Sequence, residues 1–184
     1  SKNVIAHMSA DEVYDFVAAW AKENDPEFYA VISSDPDYLK RFLAIGRGGK
    51  KPRKDFACWS EVKDFVSYMY DGLFEQKDEY PAHVSADERK ALLEEYAALY
   101  APGDDNNAWF EKIKTLSEAH GYTSDMKAYK ADPDAFKGSV TDVSNVIRVA
   151  VTGRQNSPDL CSVMAVLGKD RVTERLKAAA GQAR

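Results

Sequence analysis

Two short runs of this 184-residue chain hold side chains that can do chemistry on a polyanion. The first is Gly46–Lys54, GRGGKKPRK, with five basic residues (Arg47, Lys50, Lys51, Arg53, Lys54), three glycines and no acid. Glycine frees the backbone and Pro52 stiffens one end, so the run reads as an exposed positive loop. Such a loop suits phosphates, and an arginine fork also fits base edges. A solvated loop that balances nearby acids has the same composition, so charge alone leaves both readings open. Phe56 and Trp59 follow. Either ring can stack on a base, although aromatics beside a helix start are more often core or staple residues.

The second run is Ile147–Leu160, IRVAVTGRQNSPDL. Arg148 and Arg154 flank a loop that runs into an expected helix start at Ser157-Pro158. The unpaired amides and positive end of that helix would favour an anion or a base acceptor. The plain alternative is a helix–loop–helix turn in which Ser157 only caps.

Other chemistries lack their residues. His7, His83 and His120 are isolated, none paired at i+4 with a second ligand. Cys58 and Cys161 form no Cys-x-x-Cys motif and no disulfide framework. The basic loop lacks the lysine-hydroxyl ending of a nucleotide-binding P-loop, and no Gly-x-Ser-x-Gly elbow occurs. Carboxylate pairs such as Asp11-Glu12 and Glu94-Glu95 look like solvated helix faces.

The elements that must position the two runs read as helices. Ser9 and Glu12 form a capping box ahead of Val13, Phe16, Val17 and Trp20. Asp35-Pro36 begins a helix with Leu39, Phe42 and Leu43 inside. Ser60 is expected to cap a helix burying Val62, Phe65, Val66, Met69 and Leu73. Ser85 and Glu88 box a helix with Leu92, Tyr96 and Leu99. Trp109, Ile113 and Leu116 mark another, which Gly121 should stop. Val140, Val143, Ile147 and Ala150 share a face, then Leu160, Val163, Met164 and Leu167, and finally Val172 and Leu176. No period-two alternation stands out. The expected fold is all-α, as two small helical bundles over residues 1–80 and 81–184, with the boundary in a polar, proline-containing stretch near 80.

Apolar residues make up 45% and charged residues 30%, an ordinary globular balance. The net charge of -5 means that any nucleic-acid binding must use a local patch. No run approaches the roughly 18 apolar residues of a membrane span, and the cysteine usage fits a reducing cytoplasm. An opening Ser1-Lys2-Asn3 without an initiator methionine reads as cut from something longer.

The stretches GRGGKKPRKDFACWSEVKDFV and RVAVTGRQNSPDLCSVMAVLGKDRVTERL resemble the C-terminal half of bacterial glutamyl-tRNA synthetase. The resemblance covers essentially the whole chain and is diffuse between about 75 and 135. It implies an α-helical cage that reads the anticodon of tRNA for glutamate. The synthetase's catalytic half, with His-Ile-Gly-His-like and Lys-Met-Ser-Lys-Ser-like motifs, uses ATP and magnesium. Neither motif occurs here, so the resemblance implies a monomeric recognition half with no active site and no cofactor of its own. Its partners would be tRNA for glutamate and the N-terminal catalytic domain, in the cytoplasm and not at a membrane. Residue by residue, Arg148 matches an anticodon-reading arginine. Ser157, Pro158 and Leu160 match the segment around the anticodon bases, and Arg53 looks like a second base-reading arginine. Arg47, Lys51 and Arg154 are phosphate-contact candidates from charge alone. The competing readings are a helical protein-interaction module without RNA binding, and a small hydrolase or transferase hidden among the carboxylates.

Overall fold

The computed structural model describes residues 1–183. Among them are eleven α-helices and one two-residue parallel β pair, so the fold is mainly helical as expected. The chain divides into two compact units, Ser1–Phe74 and Glu75–Arg184. The stretch 75–80, expected in the first bundle, falls in the second. There, the Lys77 and Asp78 amides donate to the Gly153 carbonyl at 2.9 and 3.0 Å.

The first unit is built on helix α2 (Ala10–Asn24), preceded by a short α1 (Lys2–Ala6). Both halves of the Ser9–Glu12 capping box form. Val13 and Val17 are fully buried, but Phe16 is exposed. Next come α3 (Pro26–Ser33), which the sequence reading passed over, and α4 (Pro36–Leu43). Each starts on the same device. Asp25 and Asp35 accept from the backbone amide three residues on, and proline occupies the first turn. Asp25 also takes the Lys63 ammonium at 2.8 Å, and this hydrogen bond holds its carboxyl below the usual carboxylate range. Phe28, Ile32, Leu39, Phe42 and Leu43 close the core against α2.

The helix expected from Ser60 is broken into a 3-10 turn (Trp59–Glu61), α5 (Val62–Val66) and a second 3-10 turn (Ser67–Met69). Ser60 does not cap it; the N-cap position is Cys58, without a side-chain hydrogen bond. Leu73 lies beyond its end. The tightened turns bury Tyr68 beside Met69, and the Tyr38 hydroxyl donates to the Met69 carbonyl.

The second unit packs α6 (Ala86–Leu99), α7 (Asn106–Ala119) and α11 (Lys169–Gln182) around α9 (Val140–Thr152), with α10 (Leu160–Leu167) on α11. Beyond the expected face, Val146, Val149 and Val151 of α9 are also buried. A helix apolar on most sides is a central helix. Arg175 of α11 is buried and donates to the Val151 carbonyl at 2.8 Å. Leu99, expected inside α6, is 42% exposed, and Tyr100 just past the helix end is buried in its place.

A short α8 (Met126–Ala131), also unanticipated, lies between two tiny strands, β1 (Tyr122–Thr123) and β2 (Gly138–Ser139). They pair parallel, too short for alternation to show. Beside them lies Glu88, whose amide donates to Ser85 Oγ as expected while its carboxylate takes on partners beyond the capping box. It accepts from Tyr122 Oη at 2.6 Å and faces Lys137 Nζ at 3.1 Å. The Tyr122 hydrogen bond, then Lys137, hold the Glu88 carboxyl below its ordinary value. A depressed folded-state pKa adds stability that is full above the unfolded value of about 4.3 and fades as pH falls below it. Glu88→Gln is therefore expected to destabilise the second unit at pH 7. The gap to the parent should narrow below about pH 4, read from denaturant melts across that range; a gap independent of pH would show that the carboxylate charge is not what stabilises.

Candidate nucleic-acid interface

The basic loop of the first unit leaves α4 through Gly46 (φ +71°) and Gly48 (φ +85°), left-handed conformations that favour glycine. It closes where the Arg53 amide donates to the Gly46 carbonyl at 3.3 Å. The Arg53 stem lies on Gly46, where a Cβ would stand 2.9 Å from its Cδ. The Arg53 guanidinium donates twice to Asp55 Oδ1, at 3.1 and 2.9 Å, and remains partly exposed.

Arg47 turns the other way. It donates to the carbonyls of Leu43, Ile5 and Met8 at 2.9, 2.7 and 3.2 Å, and burial pushes its pKa down. A guanidinium so engaged ties the loop to the end of α1. Lys50, Lys51 and Lys54 are exposed and form the loop's outward charge.

In the second unit, α9 ends at Gly153 in the left-handed conformation (φ +73°). Arg148, one turn earlier, is half-buried, and its Nη1 donates to Ser157 Oγ and, at 3.4 Å, to the Pro158 carbonyl. Arg148, Ser157 and Pro158 are thus brought together. Ser157 and Pro158 are buried, and Leu160 is a core residue at 2% exposure. Their contribution is to shape the loop from beneath.

Ser157 is not the cap of α10. The helix begins at Leu160, and Asp159 Oδ2 accepts from the Ser162 amide at 2.9 Å. An acid on the first-turn amides removes the anion seat expected at that helix end. Arg154 is half-buried, with its backbone folded on Thr152 Oγ1.

The loop also has a partner in the stretch that read as diffuse. Besides the two amides on Gly153, the Gln155 amide donates to Asp78 Oδ2 and its side chain to the Glu79 carbonyl, both at 2.8 Å. Nothing in a polar run with one proline signals such pairing. Asn156, exposed at the apex, is an amide able to read a base edge that sequence reasoning did not single out.

The histidines are taken up locally. His83 and His120 face Asp142 and Glu95 at 2.9 Å, and His7 bonds the Asn3 carbonyl. Among the described residues no group of three potential ligands could hold a metal ion, and no helix is long and apolar enough to cross a membrane.

The chain is similar to known proteins over nearly its whole length. The chain is 40% identical over 177 residues to a glutamate–tRNA ligase of Acetivibrio thermocellus, covering 96% of this chain and 32% of that protein. It is 43% identical over 178 residues to one of Sorangium cellulosum, covering 96% and 31%. It is 39% identical over 181 residues to one of Clostridium perfringens, covering 96% and 33%. The chain therefore spans about a third of the length of these curated relatives. A family model described as the anticodon binding domain matches residues 34–180, which take in both candidate runs, and the chain belongs to that family.

Proposed function

We propose that this chain is the part of a glutamate–tRNA ligase that reads the anticodon of tRNA for glutamate. The observation that carries the reading is the Arg148–Ser157–Pro158 cluster inside the region matched by the anticodon binding domain. Anticodon bases are unstacked and single-stranded, so their hydrogen-bonding edges are open to side chains. Arg148 and Arg53 are the base-reading arginines of this proposal, with Ser157 and Pro158 fixing the first of them and Leu160 buried beside that segment. Lys51, with Lys50 and Lys54 beside it, and Arg154 bear on phosphates.

The longer enzyme would charge tRNA with glutamate using ATP and magnesium. That chemistry belongs, in this proposal, to the N-terminal catalytic domain. We place the protein in the cytoplasm as a monomer. The protein-interaction reading without RNA draws on no specific contact here. Asp25 and Glu88, the carboxylates held below their ordinary range, serve as structural ties.

The test is a titration with transcribed tRNA for glutamate at two salt concentrations, beside an anticodon-scrambled control. A preference for the intact anticodon that survives the higher salt is expected. Equal affinity for both RNAs, or none for either, would refute base reading by this chain. In the same assay Lys51→Gln should weaken both RNAs alike and lower the slope of log affinity against log salt by about 0.7–0.9, the value of one phosphate contact. An unchanged slope removes Lys51 from the backbone contacts.

A further inference from the structure

The sequence left open whether Phe56 or Trp59 meets a base, and the structure separates them. Phe56 is buried and tilted on Phe65, ring centroids 5.4 Å apart. Trp59 is half-buried at the head of its 3-10 turn. It lies flat on Phe16 of α2, with centroids 5.2 Å apart and 4° between the planes. Phe16 is 48% exposed on a helix whose Val13 and Val17 are fully buried. Trp20, half-buried, follows one helical turn on.

A near-parallel ring pair with Phe16 exposed offers a flat surface to a third ring. Every base has such a face, and stacking on aromatic side chains is sequence-tolerant. The charge beside it has the matching sign. The loop 46–54 carries no acid, and Lys50, Lys51 and Lys54 are exposed. Trp59 lies five positions after Lys54, a reach of at most about 18 Å. Of the acids near Phe16 on α2, Glu12 is turned back on the Ser9 amide and Asp11 is paired with Lys40, while Asp15, next to Phe16 in the chain, is exposed and acts on Lys40 through space. A ligand that presents a flat ring and a negative backbone within that reach is single-stranded nucleic acid.

We propose that the Phe16–Trp59 stack is a platform for an unpaired RNA base, beside the lysine loop that holds the neighbouring phosphates. This rests on the tRNA reading above and adds to it a contact that supplies affinity without sequence preference.

The experiment titrates the anticodon stem-loop of tRNA for glutamate, and its scrambled form, against the parent chain, Phe16→Ala and Phe16→Tyr. Phe16 is exposed, and thermal melts check that each variant folds. Phe16→Ala should bind both RNAs about 5- to 100-fold more weakly, the usual cost of one lost stacking contact. The salt slope should be unchanged, and Phe16→Tyr, which keeps the ring, should bind close to the parent. If Phe16→Ala binds as the parent does while anticodon preference persists, the platform is wrong and the anticodon reading stands. If the parent binds neither RNA, both fall. If sedimentation shows a parent dimer that Phe16→Ala dissociates, the stack belongs to a second copy and the proposal is overturned.

Discussion

Gly153→Ala should remove about 3 kcal/mol or more from the stability of the second unit. Two costs add. A left-handed backbone with a Cβ costs about 1–2 kcal/mol, and Gly153 sits at φ +73°. The new methyl would also stand 2.3 Å from the Glu75 carbonyl oxygen. That neighbour is backbone and cannot rotate away, so the stretch 75–78 must lift off. Lifting it breaks the Lys77 and Asp78 hydrogen bonds to Gly153, each contributing about 1 kcal/mol. The Gln155 contacts to Asp78 and Glu79 then loosen as well. Gly49→Ala is the matched control, since a Cβ there meets nothing within 4 Å and its φ is not positive. It should lie within about 0.5 kcal/mol of the parent or add a little stability. Urea melts must resolve the two units separately, because two compact units need not unfold as one. A Gly153→Ala chain as stable as the control would mean that 75–78 is not held as the hydrogen bonds indicate.

Gly153 also marks the limit of what the sequence made legible. Its place at the end of α9 could be read from a glycine after an apolar-periodic run. The chain packed against it could not, because pairing between residues 75–79 and 153–155 has no periodicity and no residue-type signature. The same division recurs elsewhere. Local, repeated signals were readable: the Ser9 box, the Asp35-Pro36 start, and the buried stripe of α10. Asp25-Pro26 carried the same signal as Asp35-Pro36 and went unread, since Phe28 and Ile32 make too short a stripe to stand out. Non-local competition was not readable. The Glu88 carboxylate also engages Tyr122 and Lys137, which lie 34 and 49 positions later in the chain. Arg47 looks like Lys50 or Lys51 in composition, yet three carbonyls draw it inward. The basic loop as a whole was legible from its charge; which of its cations face solvent was not.

The other large expected effect concerns Arg148. Arg148→Ala should weaken binding of the cognate anticodon stem-loop by about 1–3 kcal/mol, the range for one base-reading pair. Affinity for the scrambled loop should change little, so discrimination between the two RNAs should fall with it. The side chain also has a structural task, since its guanidinium holds Ser157 Oγ and the Pro158 carbonyl. Two further variants separate the tasks. Ser157→Ala removes one acceptor but leaves the fork in place, and should cost less binding than Arg148→Ala. Arg148→Lys keeps the positive charge but loses the planar pair of donors that fits a base edge. If Arg148 reads a base, lysine should restore little. If lysine restores most of the affinity, the contact is to phosphate, and base reading passes to Arg53 or to the exposed Asn156. A cognate titration unchanged by Arg148→Ala would remove the residue from the site and leave it a structural role.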